Sequence, residues 1–142
     1  MTLRVAVLGA GYFSRFHTDS WQRMDGVQFV AQADLEPSNC VSSVEAFDTL
    51  EQMLNAARPD ILDIAIPPSG HLDAIRTACD SGVRAIICQK PFCTALSEAK
   101  EAVQIAQNAS IPLIVHENFR FQPWYRLAAD ILENGALGEV HQ

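Results

Sequence analysis

Lys90 follows the β-rich run Val83 to Cys88 and precedes Pro91, so it stands where an extended segment gives way to a loop. An amine fixed at such a place can take the proton of a hydroxyl and hydrogen-bond the oxygen left behind. Oxidation of an alcohol by hydride transfer demands both services. Burial beside a cationic partner would favour the neutral amine for that task. On spacing alone, a lysine before a proline is better explained as a solvated cation opening a loop. Its meaning rests on what else the chain brings to the same edge.

Gly9-Ala10-Gly11-Tyr12-Phe13-Ser14 comes directly after the first β-rich run and opens the first helical one. That context turns a glycine pair into a dinucleotide signal. Gly9 permits a tight turn, Gly11 lets a pyrophosphate approach the backbone, and the helix start offers unpaired N–H groups to phosphate. Ser14 stands where a third glycine is usual, a place that needs a small residue for close packing. Asp34 closes the second β-rich run 25 residues after Gly9, near the offset of about 20 at which a carboxylate accepts hydrogen bonds from a ribose. A 2′-phosphate would meet that negative charge, and Leu35-Glu36-Pro37 supplies no arginine to offset it. The pattern therefore favours NAD over NADP. A glycine turn with an acidic strand end also occurs in S-adenosylmethionine methyltransferases, so the pair does not decide by itself.

The elements that must position these residues alternate along the chain. Strands are predicted at Leu3 to Leu8, Val27 to Ala33, Ile61 to Ile66, Val83 to Cys88 and Leu113 to His116, mostly apolar without alternation, as strands buried on both faces should be. Between them, Phe13, Phe16, Ser20 and Met24 share one helical face, as do Leu72, Ile75 and Cys79, and then Leu96, Ala99, Val103 and Ala106. These faces are expected to cover the sheet. The stretch from Leu35 to Thr49, broken by Pro37, Ser38, Asn39, Ser42 and Ser43, predicts a short or irregular second crossover. Trp124, Leu127, Ala128, Ile131 and Leu132 form a last stripe, read as core, which Asn134-Gly135 ends. The fold class is α/β: a doubly wound, mainly parallel Rossmann-type sheet with helices on both faces. Three loops, Ile66-Pro67-Pro68-Ser69-Gly70-His71, Gln89-Lys90-Pro91 and His116-Glu117-Asn118-Phe119-Arg120-Phe121, then fall at the carboxyl ends of parallel strands, where open α/β sheets bind ligands.

Composition narrows the field. The 142 residues are 49% hydrophobic and 19% charged, with a net charge of −7 and no basic cluster, which argues against nucleic acid as a partner. The longest apolar runs are strand-sized, below the roughly 18 residues of a membrane span, and no secretory leader is evident. A cytoplasmic location and no membrane association are expected. Cys40, Cys79, Cys88 and Cys93 lack Cys-x-x-Cys spacing, and His17, His71 and His116 lie on separate elements, so packed thiols and no metal are expected.

With Gly9-x-Gly11, His17, Asp34, Pro67-Pro68-x-x-His71, Lys90-Pro91 and Asn118-Phe119-Arg120-Phe121-x-Pro123 in this order, the sequence resembles the nucleotide-binding half of the Gfo/Idh/MocA oxidoreductases over nearly its whole length. The resemblance implies that Gly9, Gly11, Tyr12 and Phe13 hold the pyrophosphate and Asp34 the adenosine ribose. It implies that Ile66, Pro67 and His71 line the dinucleotide channel, and that Gln89, Lys90 and Asn118 reach the nicotinamide end, with Lys90 catalytic. It further implies residues 1–134 as the dinucleotide-binding domain and 135–142 as the first residues of a substrate domain. A sugar or polyol would be oxidised only where that domain completes the site. Three departures stand out: Gln89 replaces the usual glutamate before Lys-Pro, the segment after Asp34 is short, and the substrate domain is lacking. The isolated chain is accordingly expected to bind cofactor without turnover and to cover its apolar surface as a homodimer. A free-standing nucleotide-binding regulatory or scaffold module is the alternative.

Overall fold

A computed structural model describes residues 2–139 of the chain. In chain order the elements are β1 (Leu3–Leu8), α1 (Ser14–Arg23), β2 (Val27–Ala33), β3 (Glu45–Phe47), α2 (Leu50–Ala57), β4 (Ile61–Ile64), α3 (His71–Ser81), β5 (Ala85–Gln89), α4 (Leu96–Asn108), β6 (Leu113–His116) and α5 (Pro123–Glu133). Single 3₁₀ turns lie at Pro37–Asn39, Pro68–Gly70 and Phe119–Phe121. The strands form one six-stranded sheet in the order β3-β2-β1-β4-β5-β6, every pairing parallel. Strand order reverses between β1 and β4. The loops after these two strands part there and open a crevice, the usual ligand position of a doubly wound sheet.

Strands β1, β2 and β6 keep their predicted bounds, while β4 stops at Ile64 and β5 begins at Ala85. β3 is an addition: three residues paired to Ala31, Gln32 and Ala33 at the sheet edge. So short an edge strand leaves no readable periodicity. The second crossover is irregular as expected, running through the Pro37 turn into β3 with no helix before it.

Helices α2, α3 and α4 pack on one face, where Leu62, Ile64 and Ile86 from the sheet meet Met53, Ile75 and Ala102 from the helices. Thr49 starts α2 cleanly, its hydroxyl accepting the Gln52 N–H at 3.2 Å, and Gly82 ends α3 at φ +84°. On α4 the buried residues are Ala102 and Ala106, whereas Leu96 and Val103 face outward. The opposite face is covered by α1, over β1 and β2.

Besides α4, where Leu96 and Val103 of the expected stripe face outward, two further helical faces differ from expectation. On α1 the inward residues are Ser14, His17 and Thr18, and the apolar Phe13, Phe16 and Met24 are exposed. Buried Asp63 on β4 draws the His17–Trp21 side of the helix inward through hydrogen bonds. On α5 no residue is buried: Trp124, Leu127, Ala128 and Leu132 are exposed, because the helix leaves the sheet and, among the described residues, packs chiefly on the Phe119–Phe121 turn. Ile114 and Val115 of β6 are exposed as well, so this edge is not covered on both sides.

Candidate active site

The turn after β1 is built around Gly9. Its φ is +109°, and a Cβ there would stand 2.4 Å from the Ala65 carbonyl oxygen, so both conformation and space require glycine. Its N–H donates to the Ala33 carbonyl at 2.7 Å, and the next N–H, of Ala10, donates to Asp34 Oδ2 at 2.6 Å. Glu36 N–H donates to Asp34 Oδ1 at 3.0 Å. The Asp34 carboxylate is thus held at both oxygens by main-chain donors, with lone pairs left for a ligand. It lines a cavity of about 510 Å³ together with Leu8, Thr49, Ile66, Pro67 and Ser69, and the other charged residues there are Asp48 and Glu51.

Beyond Gly9, a Cβ on Gly11 would meet nothing within 4 Å, so the backbone is open above it. Ser14 is buried and its hydroxyl donates to the Gly11 carbonyl at 2.6 Å, which shows how a serine serves the third-glycine place. No side chain caps α1, and no acidic residue lies in its first turn. The Phe16 N–H donates to the Phe13 carbonyl at 3.2 Å, and the start of α1 has neither a side-chain cap nor a fixed negative charge to compete with an anion, in contrast to α2, which has Thr49 as cap and Glu51 in its first turn. Tyr12 is exposed and stacks edge-on against Phe16.

At the ends of β5 and β6 the other predicted residues gather. Lys90 Nζ lies 5.9 Å from the centroid of Phe13 and 5.4 Å from that of Phe119, within cation–π range of both. The Lys90–Pro91 peptide is cis. Gln89 is buried, and its Oε1 accepts the Lys90 N–H at 2.7 Å. Asn118 shares a second cavity, of about 480 Å³, with Phe13, His17, Asp63 and His116. Among the described residues, the buried side-chain atoms without a partner are Asn118 Oδ1 and Asp63 Oδ1, both at this cavity. Burial, and after it the neighbouring His17, hold His116 less basic than a free imidazole, against the opposing pull of Asp63 and Glu117. The buried Cys88 thiol is pushed up to about 12, chiefly by burial, which makes it a packing group rather than a nucleophile.

His71, expected in the channel lining, is instead fully buried behind it. Its two ring nitrogens lie 2.8 Å from the Phe92 carbonyl and 2.9 Å from that of Ile66, tying the loop after β4 to the loop after β5. Among the described residues, no group of three or more His, Cys, Asp or Glu could hold a metal ion, and no helix is long and apolar enough to cross a membrane.

Residues 3–117 match the Gfo/Idh/MocA model, described as an oxidoreductase family with an NAD-binding Rossmann fold. The chain belongs to this family. A D-apiose dehydrogenase from Paraburkholderia graminis is 37% identical over 139 residues, which span 94% of this chain and 37% of that protein. Inositol 2-dehydrogenase from Rhizobium meliloti is 27% identical, over 99% of this chain and 43% of its own length. Among solved structures, an oxidoreductase from Agrobacterium radiobacter in complex with NAD+, L-tartaric acid and magnesium superposes with a TM-score of 0.88 at 31% identity, over 98% of this chain and 42% of that one. The chain therefore spans about two fifths of the length of such relatives.

Within the Gfo/Idh/MocA fold, one cluster went unmarked in the sequence. Half-buried Trp21 and His116 join the buried Asp63, His17 and Gln89 in a polar group between α1 and the sheet. The signal was present in Ile61-Leu62-Asp63-Ile64, since a carboxylate inside a buried apolar strand requires partners from a neighbouring element. What the strand does not reveal is which element supplies them.

Proposed function

We propose that this chain is the cofactor-binding part of a dehydrogenase that moves hydride between a sugar or polyol hydroxyl and NAD. The observation that carries the reading is Asp34: a carboxylate fixed by the Ala10 and Glu36 N–H groups, at the edge of a cavity whose other charged groups, Asp48 and Glu51, are also acidic. Such a lining accepts ribose hydroxyls and repels a 2′-phosphate, which favours NAD over NADP. The uncapped start of α1 and the open backbone at Gly11 suit the pyrophosphate, and Gln89, Lys90 and Asn118 suit the nicotinamide end. The apiose and inositol dehydrogenases among the relatives support a polyhydroxylated substrate.

When bound, NAD supplies the hydride acceptor. Lys90 then takes the hydroxyl proton in its neutral form and, as the ammonium, hydrogen-bonds the developing carbonyl oxygen. Phe13 and Phe119 flank the amine and restrict where it can reach. The 142-residue chain is expected to bind NAD without turnover, with substrate contacts supplied by the further part that relatives possess. The exposed apolar residues of β6 and α5 support pairing of two copies of this chain about a two-fold axis.

Calorimetric titration with NAD, NADP and S-adenosylmethionine tests this reading. NAD should bind best, and Asp34→Ala should weaken it about 10- to 100-fold, the worth of hydrogen bonds to a charged acceptor. Absence of NAD binding, or preference for S-adenosylmethionine, would overturn the assignment and leave the scaffold alternative.

A further inference from the structure

Apart from Gln89, the cluster at the end of β5 has no part in the proposed hydride transfer, yet its hydrogen bonds admit a single proton arrangement. The two ends of a glutamine amide can be exchanged by rotation, but here the backbone makes the choice. Lys90 N–H is an obligatory donor 2.7 Å from the Gln89 side chain, so the atom facing it is the oxygen. The amide nitrogen then faces two histidine rings, 2.8 Å from His17 Nε2 and 3.4 Å from His116 Nδ1. It offers hydrogens and no lone pair, so both ring nitrogens accept. His17 consequently carries its proton on Nδ1 and donates it to Asp63 Oδ2 at 2.8 Å, an oxygen that also accepts Trp21 Nε1–H at 2.7 Å. His116, with Nδ1 accepting, carries its proton on Nε2.

We propose that Gln89 is a positioning residue: one amide holds His17 and His116 as complementary neutral tautomers and fixes the main chain of Lys90 from its other end. The placement of Lys90 is thereby coupled to the protonation of His116. The functional weight of this coupling rests on the reading of Lys90 as the residue at the nicotinamide end; the proton arrangement itself does not.

Protonation of His116 sets an N–H of the ring against an N–H of the amide, so Gln89 must turn or withdraw, and its oxygen leaves the Lys90 N–H. The groups that face His116 are His17 of α1, with ring centroids 4.6 Å apart, Asp63 of β4, Gln89 of β5 and the adjoining Glu117. Burial of the His116 ring disfavours its charged form, and the buried Asp63 and adjoining Glu117 oppose this effect only in part. A glutamate in place of Gln89 would invert the pattern. A carboxylate only accepts, so His17 Nε2 and His116 Nδ1 would both have to donate.

The test is a pH titration of the ¹⁵N-labelled 142-residue chain, from about pH 8 to about pH 5, following histidine ring nitrogens and backbone amides across the imidazole range. At neutral pH, His17 should show the Nδ1–H tautomer and His116 the Nε2–H tautomer. On acidification, the Lys90 amide and the His116 ring should shift with one shared midpoint, below the ordinary imidazole value. In Gln89→Glu, His17 should show the imidazolium signature at neutral pH. A wild-type His17 that is charged at neutral pH or protonated on Nε2 would overturn the proposal. So would a Lys90 amide that stays still while His116 titrates. The wild-type titration decides even if the variant does not fold. Failure to bind NAD would leave these ring signals unchanged, so the two readings fail separately.

Discussion

On the face beneath α2, α3 and α4, Leu62, Ile64 and Ile86 are wholly buried against Met53 and Ile75 in an apolar cluster, with His71 the buried polar residue at the start of α3. The face beneath α1 is buried as deeply at its centre but carries Gln32, Asp63 and Gln89, and it runs out uncovered at Ile114, Phe119 and Trp124. The same strands supply both faces, because successive residues point to opposite sides. Leu62 and Ile64 flank Asp63 in sequence and lie across the sheet from it. Cohesion therefore resides on one face, and the polar groups behind the candidate site reside on the other, where hydrogen bonds rather than close packing set their positions.

The contrast breaks first if the closed face tolerates damage. Ile64→Ala removes most of a fully buried side chain from a core with no solvent access and should cost about 2–5 kcal/mol in denaturant unfolding. A cost under about 1 kcal/mol would mean that the face is looser than its burial implies.

A smaller effect is expected from the polar face, and it depends on pH. The folded chain holds His116 below the ordinary imidazole range, so the unfolded chain binds more protons as the pH falls through that range. The stabilising contribution of the neutral ring is complete above the unfolded value and is lost as pH falls toward the lowered folded value. Thermal unfolding monitored between neutral and mildly acidic pH should show falling stability, with a shallower slope in His116→Asn. An unchanged slope would shift the acid sensitivity to other groups of this face.

The asymmetry between the faces also explains what could be read in advance. β1, β2 and β6 were legible to the residue because apolar runs bounded by turn residues have few other meanings, and the positions of Gly9, Asp34 and Lys90 just past β1, β2 and β5 followed from the same runs. The inward side of α1 was not legible. Phe13, Phe16 and Met24 make a better apolar stripe than Ser14, His17 and Thr18, and only the position of Asp63 across the gap reverses the choice. β3 escaped because three residues at an edge carry no period. His71 was marked by its motif, but a motif does not say whether a ring faces a channel or braces the wall behind it, as the Ile66 and Phe92 carbonyls show.

The weakest effect on stability is expected where the sheet is open, and it sharpens the comparison most. Trp124 and Leu127 are 62% and 59% exposed, on a helix that buries nothing. Replacing both with serine should leave the unfolding free energy within about 0.5 kcal/mol of the parent, since no core contact is lost. Apolar residues collected on one helix nonetheless favour burial against another surface. If two copies pair there, light scattering should give a dimer mass for the parent chain and a monomer mass for the double variant at the same concentration. A parent chain that is monomeric would remove the pairing and leave this face for some other partner. A double variant that unfolds readily would show that α5 contributes to the fold, and the division between a cohesive face and an open one would no longer hold.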